Sequence, residues 1–341
     1  MHRPSSPLSA AAAAPVAAGA ALVADIGGSN ARFGWVPPGA QEVQHVRTLP
    51  VAAHAGPVEA VRVYLQGLAA ALGPAYQAPR RAAFAVAATA VGDAVDFTNS
   101  PWSFSRAGVQ AQLGLEVLLI LNDFEALALS LPRLRASQLR AHGALPRPAG
   151  TLAVIGPGTG LGVAGVVQTR QGWLALPGEG GHATLAPADD FESALLAHVR
   201  RDHAHVSAER LLSGIGLPLL HRAVAEVEGV VAPALGTEAI VEAGVAGGDA
   251  LALRTLDVFG ALLGGFAGNV ALTLGARGGV YIGGGIVPRL GERFFFASRF
   301  RERFEAKGRF RAYLEGIPTA LITDTLAALG GAALAIEQLD A

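Results

Sequence analysis

The sequence predicts an α/β protein with two lobes, and three features of its 341 residues support this. Apolar segments with the period of strands alternate with segments that have helical apolar spacing, as in layered α/β folds. A strand, a glycine turn and a second strand occur twice, at 21–36 and again at 151–167. The length exceeds that of a typical single domain and is sufficient to bury two cores.

The first half begins with a predicted hairpin. ALVADIGGSNARFGWV at 21–36 places a glycine pair between two apolar runs, which is a turn signal. Apolar spacing then predicts a helix at 57–72 and strands at 81–91 and 95–104. EVLLIL at 116–121 is a continuous apolar run bounded by charge, and it predicts a strand buried on both faces.

The second half repeats the hairpin and then becomes rich in helices between about 190 and 275. GGVYIGGGIV at 278–287 predicts a buried strand that ends in glycines, and residues 324–339 predict the final helix. The apolar stretch at 258–276 is long enough to cross a bilayer. Because it contains Asn269 and lacks flanking aromatic belts, we expect a buried core helix instead.

The composition excludes several kinds of partner and site. The net charge is −1 and charged residues make up 16%, so we expect no nucleic acid and no anionic membrane as a partner. Cysteine is absent, which excludes disulfides and thiolate metal sites and fits a reducing compartment. The uncharged run at 4–24 is rich in alanine and leads directly into the first strand. We therefore expect residues 1–20 to be a disordered tail, with a signal peptide as the weaker alternative.

Three glycine clusters each follow a predicted strand: GGSN at 27–30, GPGTG at 156–160 and GGG at 283–285. Backbone N–H groups in such turns form concave anion sites, and α/β sheets bind ligands at strand ends. One such turn is as easily explained as an ordinary tight turn. Three of them predict a protein that holds phosphates between glycine hairpins.

Several nucleotide-binding classes are excluded by the sequence. Lys307 is the only lysine and follows Ala306, so a P-loop of the form GxxxxGK[ST] cannot exist. The same scarcity removes the lysine that protein kinases require. DIGGSNARFG at 25–34 leads into a second strand, which disfavours a dinucleotide-binding Rossmann turn.

Six motifs, in this order, resemble the bacterial ATP-dependent glucokinase family of the hexokinase and actin-like ATPase fold. They are DIGGSNARFG, LNDFEALAL, IGPGTGLGVA, LPGEGGHATLAP, HVSAERLLSGIGL and GGVYIGGGIVPR, and the resemblance extends from about residue 21 to about residue 335. It implies a two-lobed actin-like ATPase (ribonuclease H-like) α/β fold with a cleft between the lobes. The small lobe is expected at 21–133 plus 324–341, and the large lobe at 134–323.

Asn122 and Asp123 directly follow the apolar strand at 116–121 and should emerge at its C-terminal end, facing the cleft. A carboxylate there can accept the proton of a sugar hydroxyl during phosphoryl transfer. The alternative is that Asp123 caps the helix that DFEALALSL predicts. The residues alone leave both alternatives open, whereas the resemblance implies that Asp123 is the general base.

Glu179 and His182 lie in the glycine-rich loop PGEGGH, and Glu209 lies at the start of a further helix. Carboxylates and an imidazole can fix the directions of several hydroxyls of a polyol. The resemblance implies that these three residues bind the sugar together with Asn122 and Asp123. The structural alternatives are a first-turn helix acid for Glu209 and a satisfied structural histidine for His182.

The resemblance also implies the nucleotide site. Asp25 would orient Mg²⁺ through water, and the remaining ATP-binding positions fall in the three glycine clusters. These positions are Gly27, Gly28, Ser29 and Asn30 in the first phosphate turn, Gly158, Thr159 and Gly160 in the facing turn, and Gly283, Gly284 and Gly285 beneath the adenosine.

Some residues stay outside this assignment. His203 and His205 lack an evident third ligand, so a metal site there is disfavoured. Asn99 and Trp102 lie in TNSPW, which is near the cleft in the family, but both are equally explained as turn and core residues. Ser29 replaces the family's usual threonine, and TDTLAALGGAAL departs from the usual Asn-Pro-Gly segment, which affects only fine contacts.

The resulting expectation is a cytoplasmic enzyme that makes glucose 6-phosphate from glucose and ATP. One alternative is a kinase for another hexose or an amino sugar, and another is a catalytically silent sugar sensor. Zinc-containing regulators and sugar kinases are disfavoured because the chain has no cysteine. The family implies a homodimer.

Overall fold

The computed structural model describes residues 19–97 and 100–339. Its strands are β1 (Ala21–Ile26), β2 (Asn30–Val36), β3 (Gln44–Pro50), β4 (Arg81–Val86), β5 (Ala88–Val91), β6 (Ala94–Phe97), β7 (Ser103–Ser105), β8 (Val117–Asn122), β9 (Leu139–His142), β10 (Thr151–Pro157), β11 (Leu161–Thr169), β12 (Gly172–Gly178), β13 (Gly279–Ile282) and β14 (Thr319–Ile322). Its helices are α1 (Pro57–Leu72), α2 (Arg106–Leu113), α3 (Asp123–Ser130), α4 (Asp190–Val199), α5 (Ala208–Leu211), α6 (Leu217–Glu228), α7 (Thr237–Ala246), α8 (Ala250–Leu274), α9 (Ile286–Leu290), α10 (Glu292–Ala297), α11 (Phe300–Glu305), α12 (Arg311–Glu315) and α13 (Ala327–Glu337).

Two large sheets share one strand arrangement. The first has the order β3-β2-β1-β4-β8, and the second has the order β12-β11-β10-β13-β14-β9. In each, the hairpin is antiparallel and the following strands are added in parallel, so β1 and β2 correspond to β10 and β11. β9 extends the second sheet by pairing antiparallel to β14. The predicted hairpins at 21–36 and 151–167 are therefore confirmed, and they occupy equivalent places in two related sheets.

The predicted strand at 116–121 does pack on both faces, since Leu118 and Leu121 belong to different core clusters, but its burial is incomplete. The strand is β8, and it lies at the edge of the first sheet. Val117, Leu119 and Ile120 are only half-buried, whereas Leu118 and Leu121 are buried. A continuous apolar run does not reveal whether a strand is central or at the edge, because both kinds can be apolar on each face.

Helix α8 contains the apolar stretch that we expected to be a buried core helix. By length and composition alone it could cross a membrane, but 67% of its most apolar window is buried inside the protein. It packs along α11, and a methyl group on Gly264 would lie 2.0 Å from the carbonyl oxygen of Phe300. The core-helix prediction is confirmed.

Helices α3 and α13 pack against each other and connect the two sheets. Their apolar residues share one core cluster with Ala83 and Ala85 of β4 and with Val154 and Val166 of the second sheet. The two helices approach closely, since a methyl group at Gly331 would lie 1.7 Å from the carbonyl oxygen of Ala126. This crossing holds α3 against α13. The predicted lobe boundaries, near residues 133 and 324, remain predictions.

We predict that Gly331→Ala destabilises the protein by roughly 1–3 kcal/mol, because the added methyl forces apart two packed helices. Thermal unfolding of the purified variant measures this effect. Gly330→Ala is the matched control, since the neighbouring position of the same helix has no atom within 4 Å of the added methyl. The control should be neutral or stabilising by about 0.5–1 kcal/mol. Equal melting temperatures for the two variants would contradict the close crossing.

Candidate active site

The start of α3 carries Asn122 and Asp123 at the end of β8. Asn122 is the N-cap, since its Oδ1 accepts a hydrogen bond from the amide of Phe124 at 2.9 Å. Glu125 accepts from the amide of Asn122 at 3.3 Å, which completes a capping box. The alternative that Asp123 is the cap is therefore wrong. Asp123 is the first residue of the helix, where the cap holds its backbone in place.

The carboxyl group of Asp123 lies in an environment that favours its protonated form. Burial raises its pKa from 3.8 to about 6, and the negative charges of Asp25 and Glu179 act in the same direction. Hydrogen bonds from backbone amides, including that of Phe124, oppose the rise. A pKa near 6 leaves the group charged at neutral pH while improving its ability to accept a proton.

Asp25 lies near the end of β1, where its side chain is 16% exposed. It faces Arg32 across the hairpin, and Arg32 Nη1 donates to its Oδ2 at 2.8 Å. Burial raises the pKa of Asp25, and Arg32 partly offsets that rise. The negative charge of Asp25 also reaches Asp123. The carboxylates of Asp25 and Asp123 are therefore close enough to repel each other.

These carboxylates fit a hydrated Mg²⁺ ion. Mg²⁺ usually keeps several waters and binds proteins through one or two carboxylates together with substrate phosphates. Within 19–97 and 100–339, no group of three or more His, Cys, Asp or Glu side chains could hold a metal ion directly. A Mg²⁺ ion bound through water beside Asp25 would keep its waters and would need no cluster of direct ligands. Such an ion would also reduce the repulsion between the acidic groups.

The first residues of β11 hold the predicted sugar-binding side chains. The amide of Leu161 donates to Glu209 Oε2 at 2.8 Å, and Val163 forms a parallel bridge with Glu179. Gly181 lies directly over Leu161, since a methyl there would be 2.0 Å from the Leu161 carbonyl oxygen. The loop that carries Glu179 and the helix that carries Glu209 are thus both held against residues 161–163 of β11.

His182 lies between the two glutamates. Its Nδ1 is 3.9 Å from Glu209 Oε1, and its Nε2 is 4.0 Å from Glu179 Oε2. The side chain is 60% exposed, which disfavours the alternative of a satisfied structural histidine. Glu209 does lie in the first turn of α5, as its structural alternative expected, but its carboxylate also binds Leu161. The structure thus brings together three side chains from two separate motifs.

The first glycine turn is a tight connection between β1 and β2. The amide of Gly27 donates to the carbonyl of Asn30 at 3.0 Å, so Gly28 and Ser29 form the tip. Ser29 and Asn30 are exposed. The carbonyl of Ser29 accepts from the amide of Val51 at 2.9 Å, which fixes the turn to the following segment.

The second and third glycine clusters contact each other. Gly158 donates to the carbonyl of Gly160 at 2.9 Å, and its own carbonyl accepts from Gly214 at 2.7 Å. Gly284 has a φ of +81°, and a methyl there would lie 2.5 Å from the carbonyl oxygen of Pro157. Gly283 donates to the carbonyl of Ile155 at 2.8 Å. The two clusters form one glycine-lined surface on which Thr159 is exposed.

A cavity of about 970 Å³ opens from this surface. Its lining includes the predicted residues Gly158, Thr159 and Gly285, but neither Asp123 nor Glu179. The sequence analysis missed its opposite wall, which consists mainly of α7 residues. The residues missed are Gly214, Ile215, Thr237, Glu238, Val241, Glu242, Val245, Ala246, Ile286 and Arg289. Helix α7 has an ordinary amphipathic pattern, so the sequence alone carries no signal that it borders a cavity.

Of the residues that were not assigned to the sugar or nucleotide site, some have structural roles and others are not among the described residues. Trp102 is 3% exposed and donates from Nε1 to the carbonyl of His54 at 3.0 Å, so it is a core residue. Asn99 falls outside the described residues, as does most of the predicted tail at 1–20. His205 Nε2 lies 3.1 Å from the Thr184 hydroxyl, which accounts for that histidine without a metal.

A family model named Glucokinase matches residues 22–339. The glucokinase of Chromobacterium violaceum is 48% identical over 92% of this chain and 88% of its own length. A protein named bifunctional protein glk from Burkholderia pseudomallei is 46% identical over 97% of this chain. The chain spans about half the length of that relative and of other bifunctional relatives that it matches.

Solved structures agree on the fold. The crystal structure of glucokinase from an Antarctic psychrotroph has a TM-score of 0.85 and 36% identity, and covers 93% of this chain and 98% of that one. A glucokinase from Streptomyces griseus, solved with glucose and AMPPNP, has a TM-score of 0.56 at 19% identity over 92% of this chain and 98% of its own. The predicted two-lobed actin-like ATPase fold is confirmed.

We predict that Asp123→Asn stabilises the free protein at pH 8. The folded state binds the Asp123 proton more tightly than the unfolded state, so the charged group costs on the order of 2–3 kcal/mol above about pH 6. This cost disappears as the pH falls towards 3.8. The variant should therefore melt roughly 3–4 °C higher than wild type at pH 8, with a clearly smaller gap at pH 5.

Asp202→Asn is the control for this comparison, because Asp202 is exposed and lies outside the site. It should leave the melting temperature unchanged at both pH values. A lower melting temperature for Asp123→Asn at pH 8 would show that the Asp123 charge stabilises the fold, contrary to this interpretation.

Proposed function

The chain belongs to the glucokinase family, and from this premise we propose that it transfers the γ-phosphoryl group of ATP to the 6-hydroxyl of glucose. The products are glucose 6-phosphate and ADP. A bond forms between the sugar oxygen and the γ-phosphorus, and the bond from that phosphorus to the β–γ bridging oxygen breaks. The proton of the sugar 6-hydroxyl needs an acceptor, and the protein must supply a base to take it.

The carboxylate of Asp123 is the observation that carries the proposal. It is held on the first turn of a capped helix, and burial together with two nearby negative charges raises its pKa to about 6. Such a group is ionised at neutral pH and basic enough to take the proton as the sugar oxygen attacks. We assign Asp123 as the general base.

The sugar would be held by the side chains around Asp123. Glu179 and Glu209 each lie within about 4 Å of His182, and Asn122 precedes the base. Acidic groups accept hydrogen bonds from sugar hydroxyls, and a wrong epimer would leave one of them unpaired at a cost of about 1–3 kcal/mol. This supports recognition of a hexose by the direction of its hydroxyls.

The phosphates would lie between the two hairpin turns. Gly27, Gly28, Ser29 and Asn30 offer the first turn, and Gly158, Thr159 and Gly160 offer the second. Gly283, Gly284 and Gly285 would border the adenosine, and Gly285 lines the cavity of about 970 Å³ that would take it. Asp25 would hold Mg²⁺ through water. When bound, that ion neutralises part of the phosphate charge during transfer.

We extend the proposal to a cytoplasmic homodimer whose product enters glycolysis, on the basis of family membership alone. Light scattering at micromolar concentration tests the dimer, since a monomeric mass would contradict it. The related alternative is a kinase for another hexose or an amino sugar. A silent sensor is disfavoured because the base and both phosphate turns are present.

A coupled assay of ADP release tests the proposed function. Purified protein with Mg-ATP is supplied with glucose, mannose, fructose, N-acetylglucosamine or no sugar. We predict the highest kcat/KM with glucose and little ADP without sugar. Asp123→Asn should bind glucose and lose kcat by about 10²–10⁴-fold, because the proton acceptor is gone.

The outcomes of this assay separate the alternatives. Preference for another sugar would retain the mechanism and reassign the substrate. Folded wild-type protein without sugar-dependent ADP release would contradict the kinase assignment and favour the sensor. Near wild-type turnover of Asp123→Asn would remove Asp123 from the role of base.

We predict that Gly160→Ala weakens sugar binding more than it destabilises the fold. The added methyl would lie 2.4 Å from Glu209 Oε2, the mobile end of a side chain, and would displace it from the Leu161 amide. The displaced carboxylate would no longer reach its sugar hydroxyl, and losing a charged hydrogen bond to the sugar, about 1.5–3 kcal/mol, should raise KM for glucose by roughly 10–100-fold. Steady-state kinetics measure this effect, with Gly330→Ala as the control. A rise confined to KM for ATP would contradict the coupling to Glu209.

A further inference from the structure

The ring of Phe124, the residue that follows Asp123, lies against a pair of glycines in the second sheet. Gly156 of β10 and Gly162 of β11 are directly opposite each other in the antiparallel register. A methyl group at Gly156 would lie 2.4 Å from Phe124 Cζ, and one at Gly162 would lie 2.0 Å from Phe124 Cε2. Distances this short are overlaps, so any side chain at either position would displace the ring.

The glycine pair therefore forms a recess that the aromatic ring fills. A glycine inside a strand weakens the strand unless something approaches its backbone closely, and here the approaching group is Phe124. Phe124 is half-buried and packs against the core cluster that joins the two sheets. The contact links α3 to the hairpin that carries the second phosphate turn.

Hydrogen bonds and strand pairing fix both sides of the contact between Phe124 and the glycine pair. On one side, the amide of Phe124 donates to Asn122 Oδ1 and to Asp123 Oδ1, each at 2.9 Å. On the other side, Gly162 lies between Leu161 and Val163, which hold Glu209 and Glu179. The turn at Gly158–Gly160 immediately precedes these residues. A shift of the ring would thus move the candidate base relative to both the sugar-binding acids and the phosphate turn.

We propose that Phe124 is a positioning residue, which sets the placement of the Asp123 carboxylate relative to the second phosphate turn by occupying the recess of Gly156 and Gly162. It acts through Asp123 and does not contact the reacting atoms. The inference rests on the proposed function, in which Asp123 is the general base. A displacement of about 1 Å at a catalytic group is enough to lower a rate by about 10²-fold.

The first test replaces Phe124 by Leu, which leaves part of the recess empty. We expect kcat for glucose phosphorylation to fall at least 10-fold, while KM for glucose and KM for ATP change less than about 3-fold. This split is expected because the sugar-binding and phosphate-binding groups remain, whereas the base is displaced. If this variant does not fold, Phe124→Met, whose longer and more flexible side chain can adapt to the recess, serves in its place.

Phe33→Leu is the matched control. Phe33 is a fully buried ring stacked on Tyr64 at 5.6 Å, and it belongs to a different core cluster from the one that Phe124 packs against. The control should lower the melting temperature at least as much as Phe124→Leu but keep the wild-type kcat per folded molecule at 25 °C. A loss of kcat in both variants in proportion to their loss of stability would show that Phe124 has only a structural role.

A second test adds volume on the opposite side of the contact. Gly162→Ala should lower both the melting temperature and kcat, because its methyl collides with the ring. Combining it with Phe124→Leu should recover melting temperature and at least 3-fold in kcat relative to Gly162→Ala alone, since the smaller side chain leaves room for the methyl. No recovery in the double variant would overturn the inference.

The failure of this inference is distinguishable from the failure of the proposed function. Wild-type protein without sugar-dependent ADP release would overturn both. Active wild-type protein with an unchanged kcat for Phe124→Leu would overturn the positioning role alone.

Discussion

The candidate site depends on close backbone packing at the start of β11. Three other segments approach the backbone of residues 160–163 closely, because a glycine at each contact leaves room for them. Glu209 lies beside Gly160, Phe124 lies over Gly162, and Gly181 lies over Leu161. Each approach would be blocked by a single methyl group. This packing lets one short stretch of strand hold the sugar-binding acids, the helix that carries the candidate base, and the second phosphate turn.

This arrangement joins two halves that the chain builds separately. The candidate base and the first glycine turn follow strands of the first sheet, whereas the second turn, Glu179 and Glu209 belong to the second sheet and the segments that follow it. The crossing of α3 and α13 at Gly331 and the contact of Phe124 with β11 keep the halves in a fixed relation. The cost is visible at Asp123, whose charge is buried near two other acids. Because the unliganded protein tolerates this free-energy cost, it keeps at Asp123 a carboxylate whose raised pKa suits it to accept a proton.

Local signals in the sequence predicted the hairpins and the glycine turns, whereas the actin-like ATPase fold and the set of candidate residues were implied by the resemblance of six motifs to the glucokinase family. The sequence could not predict features that depend on distant contacts. Gly162 and Gly331 appear as ordinary glycines until Phe124 and Ala126 are seen against them. The edge position of β8, the cap at Asn122 and the α7 wall of the cavity also depend on neighbours in space. The roles of the candidate residues remain predictions.

A crystal structure of this chain with glucose and a non-hydrolysable ATP analogue tests the central claim most directly. The account predicts that the sugar 6-hydroxyl lies within about 3.2 Å of an Asp123 carboxylate oxygen. It also predicts that the γ-phosphate contacts the turn at Gly158–Gly160 and that Glu209 binds a sugar hydroxyl while keeping the Leu161 amide. Glucose bound away from Asp123, or a γ-phosphate distant from that turn, would contradict the account.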